Sequence, residues 1–494
     1  MLDNITEAVS IFLSFQNIAI VFIGVLIGTV IGAIPGMTTP MGVALALPFT
    51  FTMQPVTGIL LLLGIYKGGL YGGSITAILI KAPGTPAASC TVLDGYPLTQ
   101  KGEARKALDM ALYASCFADF ISNLSLILLA GILASFALKF GPPEFFTLVV
   151  FSLTIIAGVS GDNFIKGVIS AALGLLFAVI GLDAVYGTNR FIFDNWNLMG
   201  GLSFIPVLIG LFALPEIFHY FTKKASEQYQ AAKMSGVGAG WQDFKNSFKS
   251  IFRGSLIGVA LGAIPGIGGA PAAFLSYSEA KRTSKNKENF GKGELEGVAA
   301  SEAGNNGVAG ATMIPLLALG VPGDVITAVI LGAFMIHGLR PGPLMFVENL
   351  PMIYALFIGI MLSSAYLFLI GKLSIKAISR ISEVPNSILY PVVLVFCLFG
   401  AFAINNSAFD VLVMLLMGCV GYIMLITKFP APPFLIAFIL GPLLEDNFRQ
   451  SMILSEGSLG ILIRSPICWG FWALTIISVF LLIRSKKKNI PLAG

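Results

Sequence analysis

The sequence predicts an all-α polytopic membrane protein with about ten to twelve transmembrane segments, on three observations. Of its 494 residues, 56% are hydrophobic and only 11% are charged, whereas soluble domains carry about 25% charged residues. Residues 8–66 contain no Asp, Glu, Lys or Arg, and several later charge-free runs also reach the roughly 20 residues that a helix needs to cross the hydrocarbon core. The runs lack the alternation of apolar and polar residues that marks a membrane β-strand.

The distribution of basic residues predicts three regions and an orientation in the membrane. A basic linker at 221–253 separates a membrane repeat at 1–220 from a second repeat at 254–494. Lys and Arg in short loops mark the cytoplasmic side of a membrane, so we place the linker in the cytoplasm and the N-terminus, which lacks basic residues, outside. The other basic clusters assigned to the cytoplasm are 101–106, 281–292, 372–380 and 484–488.

A glycine- and proline-rich motif occurs once in each repeat, as "GAIPG" at 32–36 and at 262–266. Glycine stands at every fourth position before and within each copy, which gives one smooth helix face that another backbone can approach closely. Proline removes a backbone hydrogen bond and clashes with the preceding turn. In lipid such a break is tolerated where protein or trapped water satisfies the freed groups. We therefore predict a helix break that lines a cavity in each repeat.

A second interrupted segment follows each motif. Residues 66–88 are glycine-rich, then apolar, and break at Pro83-Gly84, and residues 301–325 follow the same plan with a break at Pro322-Gly323. Gly/Pro-broken segments at corresponding places in two halves point to the binding site of a transporter. The first repeat starts outside and the second starts at the cytoplasmic linker, so the charge map favours an inverted repeat over a parallel one, with re-entrant or discontinuous helices.

Helices that begin within the membrane would favour an anionic ligand. Their first turns expose unpaired N–H groups and the positive end of the helix dipole, which bind carboxylate or phosphate oxygens. The alternative for each Ser or Thr is that its hydroxyl satisfies a carbonyl freed by a kink. The predicted substrate-binding residues are Pro35, Gly36, Thr38, Thr39, Gly72, Gly73, Ser74, Thr76, Lys81, Pro83 and Gly84 in the first repeat, and Pro265, Gly266, Gly268, Gly269, Pro322 and Gly323 in the second.

Ionisable residues within apolar sequence are functional candidates by default. Glu302 either lies near the breaks or faces the cytoplasm. Lys67 is expected to snorkel to the interface, and snorkelling is also the alternative to anion binding for Lys81. Asp119 is expected to make a structural pair. An alternative role for Asp324 is to cap the helix that follows it. The residues predicted to couple transport to a cation are Asn305, Asn306 and Asp324.

Four motifs closely resemble the large membrane subunit of the tripartite tricarboxylate transporter family: "IGAIPGMTTPMGVALALP", "YGGSITAILIKAPGTPAA", "GAIPGIGGAPAAFLSYSEAKR" and "SEAGNNGVAGATMIPLLALGVPGD". The resemblance extends over essentially the whole chain in length and motif order. The family more often has a neutral polar residue where Lys81 stands. The family motifs correspond here to Gly32–Gly36, Gly72–Ser74, Pro83–Gly84, Gly262–Gly269, Asn305–Asn306 and Pro322–Gly323.

The resemblance implies a secondary transporter of the bacterial inner membrane that takes up citrate or another carboxylate. It implies Na⁺ or H⁺ as the coupling ion and no cofactor. It also implies two partners, a small four-helix membrane subunit and a periplasmic solute-binding protein that delivers the substrate. Neither the composition nor the net charge of +5, which is concentrated in loops, indicates nucleic-acid binding.

Two other classes of function compete with a transporter. A passive anion channel is disfavoured because the two glycine-dense halves carry no ring of charge. An intramembrane enzyme is less favoured still, since the chain has only two histidines and no His-Glu-x-x-His motif. The five cysteines are scattered and indicate neither a disulfide framework nor a zinc site. We expect no enzymatic activity.

Overall fold

The computed structural model describes residues 2–159, 163–183, 186–222, 236–381 and 386–487. The described chain up to residue 222 contains ten α-helices and a two-stranded antiparallel hairpin, in which Gly181 pairs with Arg190. Of the predicted cytoplasmic linker, residues 223–235 lie outside the described residues. The elements are α1 Leu2–Phe12, α2 Phe15–Gly32, α3 Thr39–Ala46, α4 Pro55–Ile80, α5 Ala88–Gln100, α6 Ala104–Ala137, α7 Pro142–Val159, α8 Phe164–Ala178, β1 Gly181–Leu182, β2 Asn189–Arg190, α9 Phe204–Phe212 and α10 Leu214–Thr222.

The rest of the described chain contains twelve further α-helices, and four short 3-10 helices lie in the connections. The helices are α11 Trp241–Gly262, α12 Gly269–Thr283, α13 Leu295–Asn306, α14 Val308–Ala311, α15 Met313–Leu319, α16 Val325–Ile336, α17 Met345–Glu348, α18 Leu350–Ile381, α19 Asn386–Asn405, α20 Ala408–Ile426, α21 Ala431–Leu454 and α22 Pro466–Lys487. The 3-10 helices are Leu47–Thr52, Trp196–Leu198, Lys287–Asn289 and Leu459–Ile463.

The predicted fold class is confirmed: the chain is an all-α polytopic membrane protein. Within the described ranges, nine helical segments are long and apolar enough to cross a membrane, and three shorter apolar helices accompany them. Other apolar runs fall short of a span because Gly and Pro divide them, as where the charge-free run 303–323 passes through α13, α14 and α15. Outer helices such as α22 and α19 expose most of their apolar side chains, as lipid contact requires, whereas the apolar window of α4 is completely buried.

Both copies of GAIPG end a helix. Helix α2 stops at Gly32 and α3 starts at Thr39, while α11 stops at Gly262 and α12 starts at Gly269. Gly36 and Gly266 both have φ = +86°, a conformation that costs glycine little because it has no β carbon. The two predicted helix breaks are therefore confirmed, with the same positive φ at the glycine of each. That the breaks line a cavity stays a prediction.

The glycine faces are close backbone contacts between helices. A β carbon on Gly24, Gly28 or Gly32 of α2 would lie under 3.0 Å from the backbone of α4. The corresponding face of α11 packs in the same way on α13 and α14, where Gly258 would meet Gly304 and Gly307. Helix α2 also packs on α18 and helix α11 on α6, while α8 packs on α21 and α20 packs on α9.

Replacing Gly28 with Ala should destabilise the protein, because the new methyl group meets the backbone of Ile65 and overpacking costs about 1–3 kcal/mol. The measurement is thermal unfolding of the purified protein followed by tryptophan fluorescence. Gly131→Ala on α6 is the matched control, since a β carbon there meets nothing within 4 Å. Equal melting temperatures for the two variants would contradict the close approach of α2 and α4.

Candidate functional site

The helix breaks of the two halves lie against one another. The backbone N–H of Gly266 donates to the carbonyl of Gly323 at 2.7 Å, which joins the two breaks of the second half. A β carbon on Gly268 would lie 3.5 Å from Cβ of Asp324, and one on Gly269 would lie 3.4 Å from Cβ of Ala87 in the first half. The starts of α5, α12 and α16 therefore meet in one place.

Of these three helix starts, that of α12 lacks a side-chain cap. Gly268 precedes α12 with φ = +67° and provides none, whereas at α5 the Thr85 hydroxyl accepts from the N–H of Ala88 at 3.2 Å. Similarly, Asp324 caps α16 and accepts from the N–H of Thr327 at 2.7 Å. The first turn of a helix carries N–H groups without intrahelical partners and a partial positive charge, so the start of α12 suits a carboxylate.

Asn305 lies beside the start of α12 with an unused amide group. Its side chain is completely buried, and neither its nitrogen nor its oxygen has a hydrogen-bond partner among the described residues. A β carbon on Gly269 would lie 2.9 Å from Oδ1 of Asn305. Leaving a buried polar group unsatisfied costs about 1–3 kcal/mol, so this amide is a candidate contact for a ligand.

In the first half, the glycines of the predicted site pack the break loop onto α4. A β carbon on Gly73 would lie 2.9 Å from the side chain of Thr85, and Gly84 donates its N–H to the carbonyl of Gly73 at 3.2 Å. Gly72 instead faces the backbone of Thr29 on α2. These three glycines hold elements of the first half together at close range.

The hydroxyl groups predicted in the first half have different surroundings. Thr38 caps α3, accepting from the N–H of Met41. The Thr39 hydroxyl is buried, packs on Gly69 and has no partner in the described part of the chain. Thr76 donates to the carbonyl of Gly73, within its own helix. Thr39 is thus the hydroxyl of this set that is free to contact a ligand.

Residues 18–436 match the sequence model of the family described as "Tripartite tricarboxylate transporter TctA family". The chain belongs to this family. A protein of Agrobacterium vitis, described as an uncharacterized 52.8 kDa protein in the TAR-I ttuC' 3' region, is 34% identical over 494 residues, which is 99% of this chain and 98% of that protein. A second A. vitis protein, from the TAR-II ttuC' 3' region, is 34% identical over 237 residues, or 47% of this chain and 98% of that protein. No solved structure matches.

The predicted coupling residues of this TctA-family chain occupy two environments. Asp324 is an N-cap, as its alternative interpretation expected, and its Oδ2 also accepts from the Tyr66 hydroxyl at 2.8 Å. Asn306 donates to Ser115 at 2.8 Å and to Glu302 at 3.3 Å. A role for Asn305, Asn306 and Asp324 in cation coupling stays a prediction.

Lys81 lies apart from these contacts. It is exposed and ends α4 in a left-handed conformation with φ = +60°. Its Nζ lies 5.9 Å from the centre of the Tyr96 ring. Its role in substrate binding also stays a prediction. A cavity of about 420 Å³ between α8, α9, α16 and α21 is mostly apolar and contains none of the predicted site residues.

Two buried polar clusters escaped prediction from the sequence. Glu302 is completely buried and accepts from Ser74, Thr91 and Ser115 as well as Asn306, so it does not face the cytoplasm. In the sequence, the only sign of this cluster was an acidic residue in a charge-poor stretch, close to Asn305 and Asn306. Its hydroxyl partners lie on three other helices, and no local sequence pattern predicts which residues they are.

The expectation that Lys67 snorkels to the interface is wrong, because a counterion holds it inside. Its Nζ lies 2.9 Å from Oδ1 of Asp119, and it also donates to Asn123 Oδ1 at 2.7 Å and to the carbonyl of Ile360 at 3.1 Å. Lys67 and Asp119 are 2% and 1% exposed, which confirms the structural pair expected for Asp119. The cluster joins α4, α6 and α18.

Replacing Lys67 with Met should lower stability strongly, because removing one partner of a buried ion pair costs about 3–5 kcal/mol. Adding Asp119→Asn should recover part of that loss, because it neutralises the stranded carboxylate. Thermal unfolding of the single and double variants measures both effects. Arg282→Ala, which breaks an exposed pair with Glu279, should change the melting temperature little. A double variant less stable than Lys67→Met would count against the ion pair.

Proposed function

We propose that this TctA-family chain is the membrane subunit of an ion-gradient-driven secondary transporter that takes up a tricarboxylate or related carboxylate. A periplasmic solute-binding protein would deliver the substrate, and a small four-helix membrane subunit would complete the assembly in the bacterial inner membrane. The family and the multi-pass fold support this proposal. It assigns no enzymatic reaction, cofactor or nucleic-acid partner to the chain.

One observation carries the proposal: the start of α12, which has no side-chain cap, lies beside the Asn305 amide, which has no hydrogen-bond partner among the described residues. A carboxylate would accept from the N–H groups of the helix start, which the helix dipole reinforces. Oδ1 of Asn305 faces Gly269, so the amide would turn to present its NH₂ group as a further donor. Gly268 and Gly269 have no side chain there, so an anion would reach the backbone directly.

The proposal includes two inverted repeats, and the part of the molecule that carries the breaks moves against the remaining helices. Corresponding helices make corresponding contacts, α2 with α4 and α18 in one half and α11 with α13 and α6 in the other, and this pattern supports the repeat. In such transporters the substrate lies near the membrane centre, between the repeats, at broken helices. Here the breaks of both halves meet between Gly269 and Ala87.

Accumulation distinguishes a carrier from a channel. Proteoliposomes containing the chain, the membrane subunit and the solute-binding protein would receive labelled citrate with and without an imposed ion gradient. A gradient-driven carrier accumulates citrate above the external concentration and saturates. A channel only equilibrates it, and that outcome would replace the proposed function with the alternative of a passive anion channel.

Gly269→Val and Gly73→Val should each abolish uptake while leaving membrane insertion intact. The valine side chain at 269 would occupy the space beside Asn305, and at 73 it would push away the break loop at Thr85. Uptake by proteoliposomes and membrane content by immunoblot are measured together. Gly470→Val on α22 is the control, because a β carbon there meets nothing within 4 Å. Normal uptake by both site variants would refute direct approach of the substrate to this backbone.

Asp324→Asn should change the dependence of uptake on the coupling cation, Na⁺ or H⁺, because it removes one negative charge from the junction of the breaks. Asn caps helices about as well as Asp, so α16 should keep its start. Uptake is measured across a series of Na⁺ concentrations and pH values, with Asp446→Asn at an exposed position of α21 as the control. An unchanged cation dependence would remove Asp324 from the coupling role.

A further inference from the structure

A carboxyl group held almost entirely by hydroxyl groups lies between the two halves. Oε1 of Glu302 accepts from Ser74 Oγ at 2.6 Å and from Thr91 Oγ1, and Oε2 accepts from Ser115 Oγ at 3.0 Å. Asn306 Nδ2 lies 3.3 Å from Oε2. Helices α4, α5 and α6 of the first half thus hold a side chain of α13 from the second half.

No cation compensates this carboxyl group within the described ranges. Every contact of Glu302 is a neutral hydroxyl or amide, and the group is completely buried. The described titratable side chains around it supply no free cation. Tyr71 on α4, Cys90 on α5 and Cys116 on α6 are not cationic groups, and Lys67, Lys372 and Arg282 pair with Asp119, Asp109 and Glu279. Arg253 also lies against Glu279, and the Asp94 carboxylate accepts from the Tyr277 hydroxyl and three backbone N–H groups.

An isolated buried carboxylate is too costly to persist without neutralisation. Its partners decide which neutralising ion fits. A hydroxyl both donates and accepts, so Ser74, Thr91 and Ser115 can satisfy Glu302 when it is ionised and can accept from it when it carries a proton. Each carboxyl group also has a partner that can only donate, but the Thr327 backbone N–H lies 2.7 Å from Asp324, whereas Asn306 Nδ2 lies 3.3 Å from Glu302. The donor-only contact therefore favours the ionised form more strongly at Asp324.

The close packing around Glu302 also favours a proton over a metal ion as the neutralising ion. The Ser74 and Ser115 oxygens lie 2.6 and 3.0 Å from the carboxylate oxygens, as direct hydrogen bonds. A sodium ion bound by the same oxygens would have to separate them, whereas a proton fits within an existing hydrogen bond.

We propose that Glu302 is the proton-binding group of the transport cycle and that H⁺ is the coupling ion of this chain. This inference rests on the proposed transport function. In each cycle one proton binds a carboxylate oxygen of Glu302 and is later released from it, and no other bond changes. Asn306, which contacts Glu302, adjoins Asn305 at the start of α12, so the state of the carboxyl group and the occupancy of the substrate site act on the same segment of α13.

Infrared difference spectroscopy of the purified full-length chain in nanodiscs tests proton binding without any substrate. Lowering the pH should produce a carboxylic-acid C=O band from a buried group in the wild-type protein. Glu302→Gln should lack this band. Glu296→Gln should keep it, because Glu296 also accepts from two hydroxyls, those of Ser250 and Ser284, but is only partly buried on the same helix.

Two spectroscopic results would overturn the inference. One is a wild-type band that persists unchanged in Glu302→Gln. The other is a carboxylate band that responds to added Na⁺ at constant pH, which would make the site a sodium site. Size-exclusion chromatography checks that Glu302→Gln is folded, and Glu302→Asp provides a second variant, which keeps a titratable group and should show a shifted titration.

Transport of labelled citrate by the complete assembly in proteoliposomes separates this inference from the proposed function. Glu302→Gln should lose accumulation driven by a pH gradient, falling to the level without a gradient, while citrate counterflow continues. Gradient-driven accumulation at the wild-type level would overturn the proton role, and so would loss of counterflow, because Glu302 would then belong to the substrate site. A wild-type assembly that moves no citrate would refute the proposed uptake, whereas the infrared result would stand on its own.

Discussion

The fold depends on one constraint, that a backbone break inside a membrane protein must be satisfied by the protein itself. The break at Pro265-Gly266 meets this constraint through the break at Pro322-Gly323, by a hydrogen bond from Gly266 to Gly323. The loop at Pro83-Gly84 meets it through the Gly73 carbonyl. The two breaks of the second half therefore lie together, whereas the loop at Pro83-Gly84 is held against α4. The starts of α12 and α16, which follow the joined breaks, lie together with them.

Glycine makes this arrangement possible at two levels. Along α2 and α11 it removes the side chains that would hold the helices apart, so backbones pack on α4 and on α13 with α14. At Gly36 and Gly266 it allows the same positive φ, which turns the chain without strain. Gly268 and Gly269 leave the backbone at the start of α12 uncovered by side chains. The glycines that permit the fold therefore also leave the N–H groups of this helix start accessible to an anion.

The buried polar clusters are of two kinds: one holds helices together, and the other has hydrogen-bonding or charge states that can change when a ligand or proton binds. Lys67 and Asp119 neutralise each other and join three helices, an arrangement suited to rigidity. Asn305 and Glu302 differ, since one has an amide without a partner and the other a carboxyl group without a cation within the described residues. These two residues stand three positions apart on α13, which therefore links the candidate substrate contact to the candidate proton site.

The sequence by itself determined the membrane class, the helix breaks and the glycine faces. Each of these follows from local rules, namely composition, the steric effect of proline and the four-residue spacing of glycine along one helix face. Only the tertiary structure decided that Lys67 is buried against Asp119, that Asp324 caps α16, and that hydroxyls of three helices surround Glu302. Such contacts depend on the rotation and register of packed helices, which no local pattern fixes, and so they emerge only when the whole chain is assembled.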